Sequence, residues 1–192
     1  MNRQLILASS SPRRSELLKQ IGLECRTIPC KVEETSPPGM KPCDLVEMLA
    51  ARKARAVAVL LEDGIVIGAD TVVVLDNQIL GKPADLNDAV AMLRRLQGRS
   101  HEVYTGVALA DAGRGKIIKD HVKTRVYFRP LEEAEIQKYV STGEPLDKAG
   151  AYAVQGLAAM FITRLEGCYT NVVGLPLAKL ADMLQEFGYR VL

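Results

Sequence analysis

Apolar and polar positions alternate in blocks that mark out the elements of this chain. Leu5-Ile6-Leu7-Ala8 is a short unbroken apolar run suited to a buried strand. Ser9-Ser10-Ser11 follows, then Pro12, whose φ is pre-set for a first helical position with Ser11 as N-cap. The helix continues through Leu17, Leu18 and Ile21 and stops at Gly22. Glu24 to Pro29 reads as a second strand. Cys30 to Pro42 reads as a loop, with Pro37, Pro38 and Gly39 in it. A helix from about Asp44 to Leu61 carries Leu45, Met48, Leu49, Ala56, Val59 and Leu60 on one face. Ile65 to Leu75 is β-branched and apolar on both faces, which predicts a central strand. After a turn at Asp76-Asn77-Gln78, a helix capped by Asp85 or Asn87 runs to Gly98. Glu102 to Asp111 and Ile117 to Arg129 form a hairpin turned at Ala112-Gly113-Arg114-Gly115. Glu132 to Val140 is a helix, Met160 to Leu165 a strand, and Leu177, Leu180, Ala181, Leu184 and Phe187 face inward from a last helix.

Several polar residues break this pattern where a purely structural chain would not place them. Arg13 and Arg14 stand in the first turn of the first helix, where they oppose its dipole. A helix start with serines and arginines is a ready place for an anion; a solvated arginine pair is the plainer alternative. Arg52 falls near the middle of the second helix's apolar stripe and Lys53 on its shoulder, at roughly 100° per residue. Inward cations need an anion or a cleft, unless their long stems carry the charge out to solvent. Asp70 interrupts the central strand, where a carboxylate is costly unless paired or metal-bound. Gly68 just before it allows something to approach closely. Lys82 is held between Gly81 and Pro83. Val32-Glu33-Glu34 sets two carboxylates side by side, and adjacent residues of an extended segment point opposite ways, so one of the two faces inward. Asp147 to Tyr152 and Gln155-Gly156 are small, polar and glycine-bearing, and read as a functional loop.

Composition narrows the chemistry. The 192 residues suit one domain, or one domain with two lobes. Net charge is +2, which argues against a nucleic-acid-coating surface, and an aromatic content of 5% leaves little for base-stacking platforms. No apolar run approaches the length of a membrane span and no signal peptide is legible, so a cytoplasmic chain is expected. The four cysteines show no CxxC spacing, and free thiols are the expected state. The two histidines lie near no nucleophile motif, and neither GxxxxGK[ST] nor GxGxxG occurs. What remains is a mixture of cations (Arg13, Arg14, Lys53, Lys82), carboxylates (Glu33, Glu34, Asp70) and hydroxyl donors (Ser9 to Ser11). That mixture suits metal-dependent chemistry on a phosphorylated small molecule, because hard cations take carboxylate oxygens and Arg and Lys neutralise phosphate.

Six segments in order carry a resemblance. Ala8-Ser-Ser-Ser-Pro-Arg-Arg-Ser-Glu-Leu-Leu18, Gly68-Ala-Asp-Thr71, Gly81-Lys-Pro83, Thr142-Gly-Glu-Pro145 with Asp147-Lys-Ala-Gly-Ala-Tyr152, Gln155-Gly156 and Val173-Gly-Leu-Pro176 together resemble the Maf family. These are nucleoside triphosphate pyrophosphatases linked to septum formation, and the resemblance covers nearly the whole chain. It implies an α/β fold of the inosine triphosphate pyrophosphatase type: a curved mixed sheet flanked by helices, with two lobes around a cleft, residues 1–192 forming one domain. It implies hydrolysis of a nucleoside triphosphate to the monophosphate and pyrophosphate with a divalent cation, Mg²⁺ or Mn²⁺. Asp70 matches the catalytic base and Glu33 its acidic partner at the metal. Lys53 and Lys82 match phosphate-facing lysines, and Arg13 a substrate-site arginine, with Ser9 and Arg14 beside it; Arg52 becomes the bystander of its pair. Arg13, Thr71 and Gln155 match the branch that acts on dTTP and UTP, including modified uridine triphosphates. Gln155 can donate to and accept from a pyrimidine edge. From charge, aromatic content and the lack of a long apolar run, no stable nucleic-acid complex and no membrane partner are expected, and the family often forms homodimers. A non-catalytic nucleotide-binding regulator of septum formation is the alternative.

Overall fold

The computed structural model describes residues 3–33, 35, 37 and 39–191, so Glu34 and Pro38 of the expected loop lie outside the described residues. In chain order the elements are β1 (Leu5–Leu7), α1 (Pro12–Gln20), β2 (Cys25–Thr27), α2 (Pro42–Ala58), β3 (Ile65–Leu75), β4 (Gln78–Leu80), α3 (Leu86–Leu96), β5 (Ser100–Asp111), β6 (Ile117–Phe128), α4 (Glu133–Val140), β7 (Ile162–Glu166), α5 (Tyr169–Val173) and α6 (Leu177–Gln185). Three short 3₁₀ turns, Glu144–Asp147, Ala149–Ala151 and Leu157–Phe161, occupy the expected loop and its surroundings. The seven strands form one mixed sheet in the order β2-β1-β3-β5-β6-β7, with β4 paired to β3. β1 runs parallel to β2 and β3, whereas β4 and β7 are antiparallel to β3 and β6. The expected mixed α/β sheet is therefore present. Among the described residues no helix is long and apolar enough to cross a membrane.

The chain forms two compact units: Met1–Asp70, Thr105–Val122 and Gly174–Leu192 in the first, Thr71–Tyr104 and Lys123–Val173 in the second. In the first unit, Ile6, Ala8, Val66, Ala108 and Ala110 pack against Ala50, Ala54, Val57 and Ala58 of α2. The buried face of α2 is Leu45, Val46, Leu49, Ala50, Ala54 and Val57. That face is rotated from the expected stripe. Val59 and Leu60 lie past the end of the helix, each 73% exposed, and Arg52 is exposed while Lys53 is half-buried. The cause is steric. Gly68 of β3 and Gly106 of β5 let the backbone of α2 come so close that a Cβ at either would sit 2.2 Å from a carbonyl oxygen, that of Ala50 or Val46. The close backbone approach at Ala50, Ala54 and Val46 therefore sets which face of α2 is buried. Arg3 closes the edge of this unit with a forked pair to Asp111 at 2.6 and 2.7 Å and a bond to Asp63. The guanidinium holds the Asp111 carboxyl down to about 2.

The second unit has its own core of Val73, Leu75, Leu80, Leu93, Leu96, Phe128, Ile136, Tyr139, Tyr152 and Phe161. Asp76 and Asn77, both with positive φ, make the tight turn that folds β4 back on β3. Asp85 caps α3 by accepting from the Asp88 N–H. One expectation is corrected here, and one element was not expected. The strand expected from Met160 begins at Ile162, because Leu157–Phe161 coils into a 3₁₀ turn that buries Ala158 and Phe161. α5 was not anticipated, since five residues are too few to show a helical period.

Buried in that core, the His101 Nε2 lies 2.6 Å from the Tyr152 hydroxyl, and its Nδ1 has no partner among the described residues. Burial pushes the imidazole down to about 4. An unfolded chain would take up this proton near 6.5. Stability is therefore full above pH 6.5 and falls as pH drops toward 4, by about 3 kcal/mol across the window. Urea unfolding at steps from pH 7 to pH 4 should show that slope reduced in His101→Gln; equal slopes in the two proteins would discard the assignment.

Candidate functional site

Within the first unit, a buried ion pair lies where β3 meets α2. The Asp70 carboxylate is 8% exposed and receives the Lys53 ammonium at 2.5 Å. The contact follows from the glycine at position 68, since its missing side chain seats Ala50 and Ala54 against β3. Lys53, one residue before Ala54, is then carried to Asp70. The expected close approach at Gly68 is thus the backbone of α2.

The serine-arginine turn sits beside this pair along the chain's hydrogen bonds. The Ala8 N–H donates to the Ile67 carbonyl, extending the β1–β3 pairing to the edge of Ser9. The Ser9 hydroxyl oxygen accepts from the Ser11 N–H at 3.1 Å and from Arg14 at 3.2 Å. Ser11 occupies the N-cap position in an extended conformation, but its own side chain makes no capping bond. Capping by the Ser11 hydroxyl is thus replaced by the Ser9 arrangement. Arg14, expected to meet substrate, also donates to the carbonyls of Ala69 at 2.9 Å and Gly174 at 2.8 Å. Hydrogen bonds from a charged donor are worth about 1.5–3 kcal/mol each, so this guanidinium has a firm orientation. It ties Ser9 to the residue before Asp70. Arg13, its neighbour in the first turn of α1, is half-buried.

Glu33 is exposed, in the segment between β2 and α2. Arg52 donates to the carbonyls of Glu33 at 3.1 Å and Thr35 at 2.9 Å, so the exposed arginine of the pair anchors the Glu33 backbone. The Cys30 thiol has two carbonyl acceptors within reach, Ala8 at 3.6 Å and Lys53 at 3.7 Å, and burial pushes its pKa up against the opposing effect of Lys53. Asp70 and Glu33 offer carboxylate oxygens of the kind Mg²⁺ or Mn²⁺ takes; Asp70 is paired with Lys53, and Glu33 is exposed.

A second group of ligand atoms was not expected. Glu47, Asp120 and His121 bring oxygen and nitrogen atoms within 4.8 Å of one another and could hold a metal ion. Lys119 and Lys179 already pair with its two carboxylates, at 3.4 and 2.7 Å, and the His121 Nδ1 lies 2.7 Å from Glu47. No local spacing announces this cluster, because Glu47 and His121 are 74 positions apart. A groove lined by Gln20, Ile21, Leu177, Ala181 and Gln185 contains none of the expected site residues.

The second unit carries the other three expected residues. Thr71 is half-buried on β3, directly after Asp70. Lys82 is exposed just past β4, and the Gly81 carbonyl before it accepts from the Gly150 N–H at 2.9 Å. Gly150, at φ 69°, has its Cα so close to Val73 that a Cβ would meet that side chain at 3.0 Å. Gln155 is half-buried in the stretch that follows. The expected functional loop is therefore an ordered series of turns, tied at Gly150 to the Lys82 segment.

Comparison with known proteins gives the family and the fold. A "dTTP/UTP pyrophosphatase" of Pelotomaculum thermopropionicum is 63% identical over 190 residues, spanning 99% of this chain and all of that protein. A "dTTP/UTP pyrophosphatase" of Desulforamulus reducens is 53% identical, spanning 98% of this chain and 99% of that one. Among solved structures, the Staphylococcus aureus Ham1 protein superposes with a TM-score of 0.51 at 18% identity, covering 96% of this chain and 99% of that chain. That likeness concerns the fold, and it agrees with the expected inosine triphosphate pyrophosphatase-like sheet. The family model "Maf-like protein" matches residues 4–187, and the chain belongs to the Maf-like protein family.

Proposed function

We propose that this protein hydrolyses dTTP, UTP and modified uridine triphosphates to the monophosphate and pyrophosphate, in a reaction that needs Mg²⁺ or Mn²⁺. The buried Lys53–Asp70 pair carries the reading, because a carboxylate in the middle of a central strand needs a reason to be there. Water attacks the α-phosphorus, the α–β bridging bond breaks, and pyrophosphate leaves. Asp70 takes the proton of the attacking water as general base. Lys53 holds Asp70 in place and offers charge to the phosphate, with Lys82 and Arg13 on further phosphate oxygens. Ser9 already accepts two hydrogen bonds, so its own O–H is the group it has to donate to substrate. Arg14 acts as a brace that ties Ser9 to Ala69, holding the backbone on either side of the reacting groups. Glu33 and Asp70 would hold the divalent cation, which when bound neutralises phosphate charge.

Specificity rests on Arg13, Thr71 and Gln155. The Gln155 carboxamide can pair with the carbonyl–N3–H–carbonyl edge of uracil or thymine, which cytosine does not present. The names of the relatives support this choice of base. The four free cysteines support a reducing, cytoplasmic setting.

The deciding experiment is pyrophosphate release from dTTP, UTP, CTP, dATP, GTP and 7-methyl-GTP, each with Mg²⁺ or Mn²⁺. dTTP and UTP are expected to lead the panel. A preference for 7-methyl-GTP would keep the reaction and overturn the base assignment. Tight nucleotide binding without turnover would replace the enzyme by a nucleotide-responsive regulator.

A further inference from the structure

We propose that Glu144 is the positioning residue for Gln155, and so a determinant of base selectivity that the sequence motifs do not assign. The inference rests on the reading that Gln155 meets the base. Glu144 opens the 3₁₀ turn Glu144–Asp147 and is half-buried. One carboxylate oxygen accepts from the Tyr139 hydroxyl at 3.1 Å, the other from the Leu157 N–H at 3.1 Å. Between those contacts lies Gly156, at φ 107°, where a Cβ would stand 2.8 and 2.9 Å from the two carboxylate oxygens. The carboxylate therefore lies directly over the backbone that follows Gln155, and only glycine leaves room for it.

The far anchor is rigid. Tyr139 is 4% exposed and stands edge-on to Phe161, with ring centroids 5.2 Å apart at 86°. Upstream of Gln155, Tyr152 is buried with its hydroxyl on His101, and Gly150 is bonded to Gly81. Gln155 thus projects from a segment pinned three residues before it by the core and one to two residues after it by Glu144. A carboxamide can read a base edge only if its plane is held, because rotation exchanges donor for acceptor. The bond from Glu144 to the Leu157 N–H restrains the backbone from which Gln155 projects.

The test is the ratio of kcat/KM for dTTP over CTP in Glu144→Ala, Glu144→Gln, Gln155→Ala and the double variant Glu144→Ala/Gln155→Ala. Glu144→Ala is expected to lower the ratio about tenfold, the size of one hydrogen bond to a charged group, mainly through KM for dTTP. Glu144→Gln, which can still accept from the Leu157 N–H, should restore most of it. The double variant should be no less selective than Gln155→Ala alone, as expected of groups acting through one another. A Gln155→Ala protein with unchanged selectivity would remove the base-reading role, and this inference with it. A drop in Gln155→Ala with none in Glu144→Ala would leave that role standing and overturn only the inference. Should Glu144→Ala not fold, Tyr139→Phe removes one grip on the carboxylate and is expected to cost about threefold in the same ratio; an unchanged ratio there also overturns the inference.

Discussion

Asp70→Asn is expected to lower kcat for dTTP hydrolysis by a factor of about 10²–10⁴, the usual contribution of a general base. The amide has nearly the shape of the carboxylate and can still accept a hydrogen bond from Lys53, but it cannot take a proton from water. The fold should survive, since the pair lies at the end of the first unit's part of β3 and Lys53 retains some access to solvent. The measurements are pyrophosphate release and thermal melting on the same preparation. A melting point within a few degrees of wild type, together with the loss of turnover, places the effect on the reaction. Raising Mg²⁺ or Mn²⁺ should restore nothing, which separates loss of the base from weakened metal binding. Retention of a tenth or more of wild-type turnover would remove Asp70 from the role of base.

The second large effect is expected at a residue with no chemistry of its own. Gly68→Ala puts a methyl 2.2 Å from the Ala50 carbonyl oxygen, 2.7 Å from the Ala54 nitrogen and 3.0 Å from the Ala54 Cβ. Two of these are backbone atoms inside a helix, so no side chain can swing aside. Reaching normal contact requires α2 to move off the sheet by roughly 1 Å. Overpacking of this kind costs about 3 kcal/mol, and more where backbone must shift. For a chain of this size that is a fall in melting temperature of roughly 6–12 °C. Because Lys53 rides on the displaced turn, turnover should fall as well. Gly106→Ala is the informative partner. Its methyl would strike the Val46 carbonyl at 2.2 Å, on the same helix but two turns from Lys53. It should cost similar stability and less activity. Equal losses of activity in the two variants would show that the helix moves as a whole and would discard the local account.

Much of this molecule was legible in the chain itself. Ile65 to Leu75 could only be a buried strand, since continuous β-branched residues suit a sheet covered on both faces, and Asp70 stood out against them. The order of motifs from Ser9 to Pro176 carried the family and marked Asp70, Lys82 and Gln155 as candidates, and the adjacent carboxylates and the inward side of the second helix marked Glu33 and Lys53. Asp85, one of two candidate caps with Asn87, and Gly98 marked the ends of α3 because capping chemistry is local. These are short-range properties, set by the period of the side chains and the needs of a helix end.

Only the tertiary structure decided the rest. The apolar residues of α2 pointed to a face containing Arg52, whereas the glycines of β3 and β5 selected the face of Val46, Ala50 and Ala54 and brought Lys53 inward. No pattern within α2 carries that information. Arg14 read as a cation for an anionic substrate, whereas its guanidinium donates to the carbonyls of Ala69 and Gly174. Glu144 looked like a turn residue, and its meaning lies in Tyr139 and Leu157, whose groups converge on one carboxylate. Side-chain period is written along the chain, but close approach and hydrogen-bond pairing belong to residues far apart in sequence, and folding alone brings them together.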